Sequence, residues 1–108
     1  MLNQLVIVGR LASDPVSMTI NGRKTETITL ACQRSYKNVD GVYETDFLEF
    51  MLYDGIVENV QNYCKKGDIV GVKGRVESVI NSDNERIMRL VAEKITFLSS
   101  KVKKEGEN

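Results

Sequence analysis

The sequence contains no histidine and only two cysteines. Cys32 and Cys64 stand alone, without the Cys-x-x-Cys spacing that is typical of zinc or redox sites. Without histidine there is no Ser-His-Asp or Cys-His catalytic set, and no ligand set for zinc or haem. The sequence therefore predicts neither a cofactor nor a bound metal, and we expect both thiols to be buried and reduced.

Net charge and long apolar runs are also missing. Fifteen Lys and Arg residues balance fifteen Asp and Glu residues, so any affinity for nucleic acid must come from a local arrangement. No apolar run approaches the roughly 18 residues that cross a bilayer. The opening segment Met1-Leu-Asn-Gln-Leu5 lacks the charged and apolar regions of a signal peptide. We expect a cytoplasmic protein without a membrane partner.

Strand and turn signals dominate the 108 residues, which are enough for one domain. Branched apolar side chains predict a strand at residues 4–12. Asn21-Gly22 is typical of a two-residue hairpin turn, and a second hairpin is predicted at Asp40-Gly41, so each is expected to join two antiparallel strands. Residues 68–79 and 86–98 also have strand composition, and a polar turn separates them.

One helical pattern interrupts the strands. Apolar residues at helical spacing predict a helix over residues 55–66. Three strands, one short helix and two strands are the layout of an OB-fold, an all-β, five-stranded Greek-key barrel with its helix between strands 3 and 4. The predicted domain covers residues 1–98, and the polar residues 99–108 are predicted to form a short disordered tail. Such folds usually bind oligonucleotides or oligosaccharides, although a fold does not fix a function.

Aromatic residues are concentrated between positions 36 and 53. Side chains of a strand alternate between its two faces, so the odd positions of 42–53 place Phe47 and Tyr53 on one face together with Glu49. An unpaired buried carboxylate is costly, which favours a solvent-exposed odd face. The even positions, which include Phe50, are then expected to face the core.

Neighbouring strands extend this exposed face. Residues 25–33 place a row of small polar side chains beside it, among them Thr25 and Thr27, and residues 69–76 contribute basic side chains. Rings flanked by cations are what single-stranded nucleic acid requires, because bases stack on the rings while Lys and Arg contact phosphates. The candidate residues of this surface are the rings Tyr36, Phe47 and Tyr53 and the cations Arg34, Lys37, Lys73 and Arg75.

Several linked segments resemble bacterial single-stranded DNA-binding proteins. These segments are residues 1–15, 28–38, 46–47, 57–59 and 63–76. The resemblance implies an OB-fold that binds single-stranded DNA without strong sequence preference during replication, recombination or repair. It implies stacking by Tyr36, Phe47 and Tyr53, and it adds Arg10 and Lys66 to Arg34 as basic contacts.

The resemblance also implies a homo-oligomer, with a tetramer favoured over a dimer. Subunits of the family pair through the first strand, which would satisfy an otherwise open edge. The residues in that position here are Asn3, Leu5, Val6, Ile7 and Val8.

Two departures from the family pattern change what is expected. The chain has Val79 and Ile80 where the pattern has a further stacking ring, which predicts a weaker grip or a smaller footprint on DNA. The polar segment Lys101–Asn108 replaces an acidic, Phe-ending tip, so recruitment of partners through such a tip is not expected. A shortened form of this kind would suit a phage, plasmid or accessory system.

Two other classes of function remain open. An accessory or primosomal protein of the same fold, or a protein-interaction module with weak nucleic-acid binding, would also present exposed rings. An enzyme is not expected, because no nucleophile and base are paired in the sequence. The segment Gly71-Val-Lys-Gly74 is too short for a Walker loop, and its glycines favour a curved barrel strand instead.

Overall fold

The computed structural model describes residues 1–20, 22–52, 56 and 64–99. These residues form six β-strands: β1 (Leu5–Leu11), β2 (Val16–Ile20), β3 (Arg23–Lys37), β4 (Tyr43–Leu52), β5 (Ile69–Ile80) and β6 (Arg86–Ser99). The strand signals of the sequence are therefore confirmed. The short strand β2, which precedes the turn at Gly22, is additional to the five strands of the predicted layout. Residues around Asp14-Pro15 separate β1 from β2, because proline supplies no backbone N–H for a strand ladder.

The strands close into a barrel. β1 pairs antiparallel with β5, β5 with β6, and β3 with β4. A parallel pairing of β4 with β6 and an antiparallel pairing of β1 with β3 complete the ring. A closed sheet leaves few unpaired backbone groups, which is why a small all-β domain can be stable in this form.

The short strand β2 does not add a sixth strand to the ring. It pairs with the Arg23–Thr27 end of β3, whereas β1 pairs with β3 further along, at Leu30 and Ala31. β1 and β2 thus occupy the same edge of β3 in succession. The barrel is five-stranded, and the OB-fold prediction is confirmed.

Alternating side chains fill the interior. On β4 the even residues Phe50 and Leu52 are fully buried, while the odd residues Phe47 and Glu49 are exposed. The predicted division of this strand into a core face and a solvent face is therefore correct. The core cluster of described residues consists of Leu11, Ile28, Leu30, Phe50, Leu52, Cys64, Val70, Val72 and Ala92. Cys64 is buried and Cys32 is half-buried, and both are free thiols.

Glycines lie in both predicted hairpin turns, although the second turn is longer than two residues because residues 38–42 connect β3 to β4. Gly22 and Gly41 have φ angles of 76° and 77°, a left-handed conformation that costs glycine little because it lacks a Cβ. The Asn38 side chain supports the second turn, since its Oδ1 accepts hydrogen bonds from the backbone N–H groups of Asp40 and Val42. These turns set the register of the strands that they join.

The expected row of exposed small polar residues on β3 is wrong at one end. Thr25 and Thr27 are 2% and 8% exposed. Both faces of β3 are covered over residues 25–28, and the intervening Glu26 is buried as well. A threonine hydroxyl is far cheaper to bury than a charged group, so a polar row of threonines does not by itself mark a wet face.

The predicted helix over residues 55–66 is not confirmed. Residues 55 and 57–63 lie outside the described part, and Ile56 alone is described in helical conformation. Residues 64–66, which the prediction assigned to the last helical turn, are not helical: the Lys65 backbone N–H donates to Asp68 Oδ2 at 3.0 Å in a turn that leads into β5. Of the predicted tail 99–108, residues 100–108 also lie outside the described part, and Ser99 is the last residue of β6. Within the described residues, no helix has the length and apolar character needed to cross a membrane.

Candidate nucleic-acid interface

Phe47 presents its ring to solvent from the middle of β4. Its side chain is 67% exposed, and its cross-strand neighbour on β3 is the small residue Ala31. A large apolar ring on a strand normally packs against a neighbour, so exposure on this scale is informative. The ring is available to a flat ligand such as a nucleobase.

Tyr36 lies near the end of β3 and is 63% exposed. The β3–β4 register shifts here: Gln33 lies opposite Thr45, but Lys37 lies opposite Tyr43. Four steps along β3 therefore oppose two along β4, and simple alternation does not assign Tyr36 to a face. The predicted ring is accessible, and it lies in the irregular part of the strand pair. The third predicted ring, Tyr53, lies outside the described residues.

A further ring, Tyr43, completes the exposed row of β4 and was not among the predicted site residues. The ammonium group of Lys37 lies 5.6 Å from the centre of this ring, within the range of a cation–π contact. Lys37 therefore has a partner within the protein, and its predicted phosphate contact would compete with this ring.

A groove of about 410 Å³ opens beside Phe47, between β4 and β6. It forms because the parallel pairing of these strands is limited to Phe50 with Leu90 and Met51 with Val91. Before those pairs the strands diverge and leave a gap. The groove is lined by Phe47, Leu48, Glu49 and Met51 from β4 and by Ile87, Met88, Arg89 and Leu90 from β6.

Arg34, predicted to contact phosphate, is held by acidic neighbours. Its Nε and Nη2 donate to Asp46 at 2.8–3.2 Å, and its Nη1 lies 3.5 Å from Glu44. The hydrogen bond from Arg34 lowers the pKa of Asp46, although partial desolvation acts against it. The same hydrogen bond raises the pKa of Arg34. The Arg34 guanidinium is near Tyr36, but Asp46 and Glu44 already neutralise its charge.

Arg75 on β5 is held in the same way. Its Nε and Nη2 donate to Glu77 Oε2 at 3.1 and 2.8 Å, and its Nη1 donates to Glu93 Oε2 at 3.0 Å. These hydrogen bonds, first to Glu77 and then to Glu93, raise the pKa of Arg75. A phosphate would have to displace or share with these carboxylates.

The other predicted cations are Arg10, Lys66 and Lys73. Arg10 lies opposite Ala31, which itself lies opposite Phe47, so Arg10 is in the same row of the barrel as the ring, two strands away. Arg10 Nη1 donates to the Gly67 carbonyl at 2.8 Å, and Lys66 lies in the same turn, where its backbone N–H donates to Asp14. Lys73 is exposed and lines a different groove of about 360 Å³, together with Val6 and Val8. The structure thus does not bring Lys73 together with Phe47, as the sequence analysis expected.

The first strand has a distinct outer face. Val6 and Val8 are 67% and 58% exposed, whereas Leu5 and Ile7 pack against the core. Asn3 extends the β1–β5 pairing, because its side-chain amide donates to the Val76 carbonyl and accepts from the Val76 N–H. Among the described residues, Leu5–Gly9 have ladder partners on β5 only. The second edge of β1 is consistent with the predicted open edge.

Sequence reasoning missed the β6 wall of the groove. Met88 is 82% exposed and lines the same groove as Phe47, although the register of Phe50 with Leu90 places it on the other face of the sheet. The available signal was topological: the third and fifth strands of an OB-fold barrel, which are β4 and β6 here, are neighbours, so residues 87–90 had to approach β4. No group of three or more acidic or cysteine residues within the described ranges is arranged to hold a metal ion.

The closed five-stranded barrel, the exposed ring and the adjoining groove together define an oligonucleotide-binding type of OB-fold domain. Comparison with known proteins agrees with this class. The model of the single-strand binding protein family matches residues 2–98. The chain therefore belongs to the single-strand binding protein family.

Individual relatives cover most of the chain. Single-stranded DNA-binding protein 2 of Staphylococcus aureus strain Mu50 is 40% identical over 106 residues, which is 94% of this chain and 75% of that protein. Single-stranded DNA-binding protein A of Bacillus subtilis is 39% identical over 107 residues, which is 94% of this chain and 62% of that protein. The chain thus spans roughly three fifths to three quarters of these relatives.

Solved structures support the fold. A Plasmodium falciparum SSB complex with ssDNA has a TM-score of 0.74 at 24% identity, covering 92% of this chain and 96% of that chain. A deletion mutant of the single-stranded DNA binding protein from Thermus aquaticus has a TM-score of 0.76 at 22% identity, covering 93% of this chain and 52% of that chain.

Proposed function

We propose that this protein binds single-stranded DNA without strong sequence preference and coats it during replication, recombination or repair. The observation that carries the proposal is the exposed ring of Phe47, which stands beside an open groove on an OB-fold barrel. Tyr36 and Tyr43 add accessible rings along the same pair of strands. A row of rings suits an unpaired strand, because every base has a π-face and stacking does not depend on sequence.

Stacking compensates for the absence of a positive net charge. Each stacked base contributes about 1–3 kcal/mol by alanine substitution, so two rings supply at least about 2 kcal/mol. Arg34 and Lys37 near the rings add phosphate contacts, which salt weakens, when a phosphate displaces or shares their partners Asp46 and Tyr43. Binding of unpaired strands would protect them and melt hairpins by mass action. We propose a cytoplasmic location for this binding and assign it to residues 1–98.

Removal of the two described rings tests the proposal. We expect the double variant Tyr36→Ala and Phe47→Ala to lose about 30-fold or more in affinity for oligo(dT), since about 1.4 kcal/mol corresponds to a factor of ten. Quenching of tyrosine fluorescence or anisotropy of a labelled oligonucleotide would measure the affinity.

A matched variant controls for the loss of an exposed ring. Phe97 is also half exposed, but it lies ten residues from Ile87 on β6, about 30 Å along the strand. Phe97→Ala should bind oligo(dT) like the unmodified protein. Unchanged affinity of the double variant would refute the assignment of the binding face, and no binding of any oligonucleotide at low salt would refute the function.

We propose a homo-oligomer, and the outer face of β1 supports this proposal. A tetramer rather than a dimer is the state that the resemblance to the family implies. Val6 and Val8 expose apolar surface that continues into a groove lined by Gly71 and Leu98. Exposed apolar patches of this kind usually mark contact with another chain, and a second copy of β1 would pair the open edge.

Charge placed on this face tests the proposal. Val8→Lys should dissociate the oligomer, because it buries an ammonium group at the contact. Val39→Lys is the control, since Val39 is fully exposed in the β3–β4 turn. Sedimentation velocity would distinguish the species. Identical sedimentation of both variants and the unmodified protein would contradict an interface at Val8.

A further inference from the structure

Lys37 and Tyr43 form the last pair of the β3–β4 hairpin before its turn. The two residues lie opposite each other in the register, and residues directly opposite in antiparallel strands share one face of the sheet. The Lys37 ammonium lies 5.6 Å from the centre of the Tyr43 ring. Beside this pair the Asn38 backbone N–H donates to the Val42 carbonyl at 2.8 Å, so the turn holds both backbone positions in place.

Tyr43 lies on the same face of β4 as Phe47, since four residues separate them and the register shift adds residues to β3 and none to β4. Its side chain is 45% exposed. The two positions are about 13 Å apart along the strand, at about 3.3 Å per residue. Stacked bases are spaced by about 3.4 Å, so the two rings would contact different bases of a bound strand.

The charge of Lys37 is not neutralised, which distinguishes it from the arginines of the candidate surface. Arg34 and Arg75 each contact two carboxylates. Lys37 has no ion pair among the described residues, and its partner is an uncharged ring. A nucleotide carries its base and its phosphate together, so a nucleotide whose base stacks on Tyr43 brings a negative charge close to the Lys37 ammonium.

The strengths of the contacts favour an exchange of partners. An exposed cation–π contact changes an equilibrium constant by about two- to fivefold, whereas stacking of one base changes it by about 5- to 140-fold. A phosphate carries a full negative charge, while the ring offers the ammonium only its quadrupole, and the phosphate contact also releases counterions. The two contacts that a nucleotide forms with Tyr43 and Lys37 therefore outweigh the single contact that they replace.

We infer that Lys37 and Tyr43 form a subsite for one nucleotide, in which the two side chains exchange partners on binding. The Tyr43 ring receives the base, and the Lys37 ammonium leaves the ring for the phosphate of the same nucleotide. The inference rests on the proposed binding of single-stranded DNA. It agrees with binding that depends little on sequence, because every base has a π-face and every nucleotide of the strand has a phosphate.

A double-mutant cycle with the full-length protein and oligo(dT) tests the exchange. Lys37→Met removes the charge and Tyr43→Ala removes the ring, and each single variant also releases the remaining side chain from the Lys37–Tyr43 contact. We therefore expect the double variant to lose more affinity than the product of the two single losses, by about two- to fivefold, which is the size of that contact. Lys37→Met should also reduce the slope of log K against log salt by about 0.7.

Lys65→Met is the control, because Lys65 is exposed in the segment before β5 and its removal takes away the same charge elsewhere. Its effect should simply multiply with that of Tyr43→Ala. Simple multiplication for Lys37 and Tyr43 would overturn the exchange. A double variant that binds no more weakly than Tyr43→Ala would also overturn it, because Lys37 would then act only through the ring. Failure of the unmodified protein to bind oligo(dT) at low salt would instead refute the proposed function.

Discussion

The ion pair between Arg34 and Asp46 leads to a prediction that depends on the position of a charge and not only on the net charge. Arg34 donates three hydrogen bonds to Asp46, and Glu44 lies near its remaining nitrogen. A DNA phosphate must therefore displace Asp46 or share the guanidinium with it. We expect Asp46→Asn to strengthen binding of single-stranded DNA, because the variant keeps the size of the side chain and removes its charge.

The magnitude follows from counterion release. Each phosphate contact on a single strand contributes about −0.7 to the slope of log K against log salt. If Asp46→Asn frees one full contact, the slope should steepen by about 0.7. Between about 1 M and 50 mM salt, a 20-fold change, this corresponds to a gain of about eightfold in relative affinity at the lower salt.

The assay is a salt series of oligo(dT) titrations followed by anisotropy. Asp83→Asn is the control, because Asp83 is exposed in the β5–β6 turn and the substitution removes the same charge away from Arg34. An unchanged slope for Asp46→Asn would show that Arg34 does not contact phosphate. Weaker binding at every salt concentration would show that Asp46 orients Arg34 rather than competing for it.

Two further predictions concern stability and thiol chemistry. A Cβ at Gly74 would lie 2.1 Å from the Val91 carbonyl oxygen, whereas one at Gly71 would meet only side chains at 3.7 Å or more. Gly74→Ala should lower the midpoint of urea unfolding by an amount equivalent to about 2 kcal/mol or more, and Gly71→Ala should change it little. Equal effects of the two variants would contradict the close approach of Gly74 to the Val91 carbonyl. Burial first, and then the nearby acidic groups Asp68 and Glu26, raise the pKa of Cys64 from 9.0 to about 11. The native state thus holds the Cys64 thiol proton more tightly than the unfolded chain does, so the free energy of unfolding should fall as pH rises from about 9 towards 11. Cys64 should also resist alkylation at pH 8 until the protein unfolds. Rapid labelling of Cys64 in the native protein would contradict this.

Local patterns in the sequence were sufficient for the strands and for the face of β4. Alternation along residues 43–52 assigned Phe50 to the core and Phe47 to solvent, because a strand turns successive side chains to opposite sides whatever surrounds it. The turn dipeptides worked for a similar reason: the left-handed φ angles of Gly22 and Gly41 follow from the turn itself. The same alternation failed at Thr25 and Thr27, because it separates two faces without showing which of them another part of the chain covers.

The charge of the candidate surface was beyond sequence reasoning. Arg34 and Arg75 were chosen as phosphate contacts because they lie on or beside the exposed rows. Asp46 is 12 residues from Arg34, and Glu93 is 18 residues from Arg75. Only strand pairing brings these two carboxylates within hydrogen-bond distance, so the neutralisation of Arg34 follows from register. Arg75 is held first by Glu77, two residues further along the same strand, and alternation within the strand could have indicated that contact.

The sequence by itself determined the class of fold, the exposure of Phe47 and the position of the tight turns, since these depend on short-range alternation and on backbone preferences of single residues. The tertiary structure alone decided the groove beside Phe47, with Glu49 and Arg89 on opposite walls. The physical reason is that β4 and β6 join distant segments through a parallel pairing that begins only at Phe50 and Leu90, and the strands lie apart before those residues. The extent of the groove depends on where that pairing begins, which no pattern within either strand specifies.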